Sequence, residues 1–103
     1  MLGDFMKLED QFRYFVGGYY GVSLMDEYPL KEYVMKDIEN YIRDFIEENP
    51  IEDFNYKEEA LRVKEEVSDK TKLQYALLVL NKINASMDLI FLIKNRLKKY
   101  SRK

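Results

Sequence analysis

Apolar side chains recur along this chain at steps of three and four residues, a spacing that commits most of it to helices packed by one face. Phe5, Leu8, Phe12, Phe15 and Val16 mark the first such stripe. They predict a helix over about 4–16, closed by Gly17 and Gly18, because glycine tolerates the left-handed conformation that ends helices. Residues 19–28 read as a connection too apolar to lie free in water. Pro29 suits a first helical position, and Leu30, Tyr33, Val34, Ile38, Tyr41, Ile42, Phe45 and Ile46 form a broad stripe. A second helix over 29–48 follows, stopped by Asn49 and Pro50.

Asn55 can cap a third helix with Glu58 as its reciprocal partner, and Ala60, Leu61, Val63 and Val67 supply modest apolar content. Asp69 or Ser68 can cap the last. From there Leu73, Ala76, Leu80, Ile83, Met87, Ile90 and Leu97 keep one phase, broken only at Lys94, predicting a single helix of nearly thirty residues, about 42 Å long. A break at Asn84 to Ser86 is the alternative. The expected fold is all-α, a single domain over 1–103 built as an irregular four-helix bundle with the long C-terminal helix as its spine. Leu77, Val79, Phe91 and Ile93 widen that helix's stripe beyond a two-stranded seam, which favours burial in the bundle over a coiled-coil homodimer.

A content of 47% hydrophobic residues excludes the disordered class and provides for a core. Cysteine and histidine are both absent, so thiol chemistry, disulfides, the usual transition-metal ligands and the usual neutral-pH base are missing. The chain is therefore expected to be a non-enzyme with no cofactor, metal or catalytic residue. The run Leu89 to Ile93 falls far short of the ~20 apolar residues that span a bilayer, and Asp4, Glu9 and Asp10 argue against a targeting peptide. A cytoplasmic protein without membrane contact is expected.

The formal net charge of −2 conceals a strong segregation. Residues 26–69 hold fifteen acids and six bases, a net of −9, whereas residues 70–103 hold one acid and nine bases, a net of +8. Glu47 and Glu48 lie in a last helical turn, where the helix dipole disfavours them, and Glu52, Asp53, Glu58 and Glu59 follow closely. Such a run is either a solvated face, eased by Arg43, or a surface that steers and docks a basic partner. Tyr19, Tyr20 and Tyr28 are candidate aromatic anchors beside it, since Tyr offers contact area at low entropic cost.

Two other chemistries can be weighed on the residues. Asp44, Glu47, Glu66 and Asp69 stand as DxxE and ExxD, similar to the carboxylate pairs of MazG-type nucleotide pyrophosphatases. In a hairpin turning near residue 51, however, the positions opposite Asp44 and Glu47 are 56–59, which counts against a shared Mg²⁺. The basic end (Lys94, Arg96, Lys98, Lys99, Arg102 and Lys103) offers nucleic-acid binding as an alternative function, but the acidic middle would repel phosphates and no recognition-helix motif is present. GGYYG has neither phosphate-loop spacing.

The segment Phe15-Val16-Gly17-Gly18-Tyr19-Tyr20, the acids Asp26 and Glu27, the amphipathic helix beyond them and the acidic second half resemble immunity proteins of bacterial contact-dependent growth inhibition systems, over roughly residues 12–67. That resemblance implies a small helical protein that neutralises a cognate toxin domain by tight binding. Toxin nucleases bind phosphates and tend to be basic, so an acidic inhibitor would associate with one quickly.

Overall fold

Gly17 and Gly18 do not end the first helix. In the computed structural model, which describes residues 6–101, α1 (Leu8–Ser23) continues through both glycines and takes in half of the expected connection. The expected contributions of Asp4, Phe5, Arg102 and Lys103 lie outside the described residues. Four further helices follow: α2 (Lys31–Glu48), α3 (Tyr56–Glu66), α4 (Asp69–Lys82) and α5 (Met87–Ser101). The chain is all-α as expected, but it has five helices among the described residues, and its spine is α1, which packs against α2, α3 and α4.

The glycines serve α1 by letting α4 come close. A Cβ built on Gly21 would lie 2.3 Å from the Lys72 carbonyl oxygen, and one on Gly18 would lie 2.8 Å from Val79 Cγ2. On Gly17 it would meet the Tyr75 ring at 2.3 Å. Lys72, Tyr75, Ala76 and Val79 stand at helical spacing on α4, so two complementary faces meet with almost no side chain on one of them. Three glycines inside a helix cost about 1 kcal/mol each relative to alanine, which the close approach has to offset. Tyr14 continues the seam beyond the glycines, its ring 4.3 Å from that of Tyr75.

The other faces of α1 hold the aromatic core. Phe15 is buried edge-on between Tyr41 and Phe45 of α2, with centroids 5.0 and 5.1 Å away. Phe12 meets Phe54 and Tyr56 at the start of α3, at 5.7 and 5.1 Å. Asn55 caps α3 as its side-chain oxygen accepts from the Glu58 N–H at 3.0 Å, one of the two bonds of the expected capping box. The start of α2 is two residues later than expected, with Leu30 in the cap position.

The expected long C-terminal helix is instead two helices, and the break falls at Asn84 to Ser86, the alternative to continuity. Asn84 adopts a left-handed φ of 55°. The Ala85 N–H donates to the Leu80 carbonyl at 2.9 Å and the Asn84 N–H to Asn81 at 3.4 Å, the paired bonds of a Schellman stop. Ser86 then begins α5 by accepting from the Asp88 N–H at 3.2 Å. The turn does not preserve the apolar phase: Leu73, Ala76, Leu80 and Ile90 are buried, but Met87, in the same phase, is largely exposed, and Leu89 and Ile93, outside it, supply the rest of the buried face of α5.

Arg96 fastens α5 to the end of α1. It donates to both Glu27 carboxylate oxygens at 2.8 and 2.7 Å and to the Leu24 carbonyl at 3.1 Å. A hydrogen bond from its own backbone, followed by Arg96, holds the Glu27 carboxyl below its ordinary value. The tether is therefore present above the ordinary carboxylate range and is lost as pH falls through the depressed value.

Two substitutions test this architecture through urea denaturation. Gly21→Ala is expected to lower stability by about 1–3 kcal/mol even though alanine is the better helix former, because the new methyl meets a backbone oxygen that cannot rotate away. Asn84→Ala is expected to cost about 1 kcal/mol, and Asn84→Gly is expected to be neutral or slightly stabilising. Equal effects of the two Asn84 variants would contradict the left-handed stop.

Candidate functional site

The acids at the turn between α2 and α3 are placed by three local devices. Asn49 ends α2, its backbone N–H and side-chain amide both donating to the Phe45 carbonyl, at 2.9 and 3.1 Å. Asp53 has a left-handed φ of 58° that reverses the chain. The Ile51 N–H donates to the Tyr56 hydroxyl at 3.2 Å, joining the turn to the first residue of α3. Glu47, Glu48, Glu52, Asp53 and Glu58 consequently all project into solvent around one turn, and none has an ion-pair partner among the described residues. Arg43, expected to ease Glu47, sits 3.9 Å from Glu39 instead.

Glu59 does not belong to that exposed set. It is buried against α1, where Arg13 reaches one carboxylate oxygen at 2.8 Å and Arg62 the other at 3.0 Å. Arg13 also holds Asp10 at 2.8 Å, and the hydrogen bond to Glu59 is the main reason its guanidinium is held above its ordinary value. The helical repeat explains the difference, since Glu59 follows Tyr56 by three residues and precedes Val63 by four on the inward face of α3, whereas Glu58 faces out. Tyr28 is likewise buried, so it is core and not part of an exposed anchor.

Tyr19 and Tyr20 remain accessible and line a groove of about 250 Å³ between α2 and α3. Its floor is Phe12, Val16 and the two tyrosines of α1, and its walls are Ile42 and Ile46 of α2 and Tyr56 and Ala60 of α3, with Glu39 and Lys57 at the edges. Burial, then the Glu39 carboxylate, push the Tyr19 phenol above its ordinary value, so it stays neutral. Lys64 lies 5.9 Å from the Tyr20 ring centroid, on the α3 side. Ile46 and Lys57 are sequence neighbours of Glu47 and Glu58, so the acid cluster begins at the groove's end. A larger, polar groove of about 690 Å³ runs between the start of α1 and the end of α2, lined in part by Lys7, Gln11, Asp44 and Glu48.

The groove walls were not singled out by sequence reasoning, although a signal was present. The stripe of α2 includes Ile42 and Ile46 beside Ile38 and Phe45, which is wider than one neighbouring helix can cover. Of the other chemistries weighed, the carboxylate pairs do not converge: no three Asp or Glu side chains among the described residues are placed to hold a metal ion. In the basic end, Arg96 is taken up by Glu27, while Lys94, Lys98 and Lys99 are exposed. No helix among the described residues is long and apolar enough to cross a membrane.

No protein-family model, no curated protein and no solved structure matches the chain. The division between Glu59 and its exposed neighbours is open to direct measurement. Glu59→Gln is expected to destabilise the fold by about 1–3 kcal/mol, since it weakens a charge-assisted contact with Arg13 on a buried oxygen. Glu47→Gln, at the negative end of α2, is expected to be neutral or to stabilise by about 0.3–1 kcal/mol. Chemical denaturation of both variants gives the comparison, and a loss at Glu47 equal to that at Glu59 would contradict the assignment.

Proposed function

We propose that this chain is an acidic protein-binding domain that inhibits a basic partner, in the manner of an immunity or antitoxin protein acting on a cognate toxin domain, with a nuclease as the kind of target its charge suits. The reading rests on one observation: five solvent-exposed carboxylates gathered around the turn between α2 and α3, none of them in an ion pair among the described residues. Mutual repulsion there works against the compact state, and Glu47 and Glu48 also oppose the dipole of their own helix. The helix dipole accounts for Glu58, in the first turn of α3, but not for Glu47 and Glu48, whereas a basic partner turns the repulsion among these acids into attraction on binding. The apolar groove with Tyr19 and Tyr20 begins beside the acids and supplies the desolvated contact that slows dissociation, while the exposed rim charges speed encounter. Binding, not turnover, is the activity in this reading, and the cytoplasm is where it would operate.

The test is capture of partners from the protein's own cells, run beside a variant with Glu47, Glu48, Glu52 and Asp53 changed to lysine. The wild type is expected to retain a basic protein and to block its activity. Association with that protein should slow by at least about tenfold in the variant, and in the wild type at high salt. Retention of the same partners by both forms, with no change in salt dependence, would remove the acid cluster from the function.

A further inference from the structure

The charge segregation has a second structural expression, away from the acid cluster and independent of it. Two helices each present a solvent-facing line that starts apolar and turns charged. On α5, Met87 and Phe91 are 70% and 64% exposed, large values for side chains of this kind, and Lys94 follows on the same line. At the start of α2, Leu30 and Tyr33 are 50% and 73% exposed, and Asp37 follows on theirs. The spacing corresponds as well as the chemistry. Relative to its first member, the α5 line has offsets of four and seven residues, and the α2 line offsets of three and seven. Laid side by side and parallel, the two lines place apolar pairs together within about one residue's rise, and Lys94 level with Asp37, each about 10.5 Å along its axis.

Within one molecule the two lines do not cover each other, since all four apolar side chains are at least half exposed. We propose that they cover each other between molecules: α5 of one copy packs along the first half of α2 of a second copy, Met87 and Phe91 against Leu30 and Tyr33, and Lys94 against Asp37. Complementarity in both charge and spacing selects a second copy over an anionic membrane or a nucleic acid, because a negative surface would suit the α5 line with Lys94 but would leave Leu30 and Tyr33, whose line ends in Asp37, uncovered. Each copy offers both lines, so a two-fold arrangement makes the contact twice, and a small net charge of −2 does little to hold copies apart.

Sedimentation velocity on the full chain, across a wide concentration range and at low and high salt, tests the contact. The wild type is expected to associate reversibly and more weakly in high salt. Phe91→Glu is expected to raise the dissociation constant by at least about tenfold, with an unchanged circular dichroism spectrum because the side chain is exposed. Asp37→Lys and Lys94→Asp should each weaken self-association several-fold, and an equimolar mixture of the two should recover it, since each supplies the charge the other lacks. A wild type that stays monomeric throughout overturns the proposal, as does association unaffected by Phe91→Glu or a mixture no tighter than either variant alone.

Discussion

Everything else in this fold is arranged around the close approach of α1 and α4. Helix axes separate according to the side chains between them, and here one helix contributes hydrogens where the other contributes Lys72, Ala76 and Val79. With α4 drawn in on that side, the opposite faces of α1 are free to carry the large aromatics, and Phe12 and Phe15 anchor α3 and α2 there. The acid turn and the groove are then positioned indirectly, as the space left where α2 and α3 lean on α1 without closing on each other.

The polar contacts complete this arrangement by tying regions that are distant in sequence. Arg96 joins α5 to the end of α1, Arg13 joins α1 to α3 through Glu59, and the Lys72 ammonium donates to the Lys64 carbonyl at 2.6 Å at the end of α3. Each connects a cation to an oxygen in the acid-rich stretch or at its border. The internal ties use only part of that stretch's negative charge, and Glu47, Glu48, Glu52, Asp53 and Glu58 around the α2 and α3 turn are among the acids left unpaired.

The class of fold was legible in the sequence because three-and-four spacing of apolar residues survives any later packing. The Asn55 cap and the boundaries of α2 could be read to within two residues because Asn55, Pro29, Asn49 and Pro50 carry cap and stop chemistry of their own. The glycine pair was not, because glycine permits either a left-handed stop or a close helix contact, and the choice depends on a helix some fifty residues away. The break at Asn84 was visible as an option, since asparagine and serine are the residues that stop and start helices, but an apolar phase that continues past it favoured continuity. The cluster of acids was plain, whereas the withdrawal of Glu59 from it required knowing that Arg13 stands opposite, 46 residues earlier. Tyr28 and Tyr33 show the same limit: one is buried and the other is almost bare, and nothing local distinguishes them.

The glycine seam also bears on the order in which the molecule assembles. Because α1 finds its principal partner only in α4, its bare stripe cannot be covered until most of the chain is present, whether emerging from a ribosome or diluted from denaturant. Until then α1 is a glycine-weakened helix with marginal stability of its own. Contacts between α1 and α2 can form early, over a short loop, but closure of the core waits on a segment far along the chain. That raises the contact order above what local helical hairpins would give and makes the docking of α4 the natural slow step.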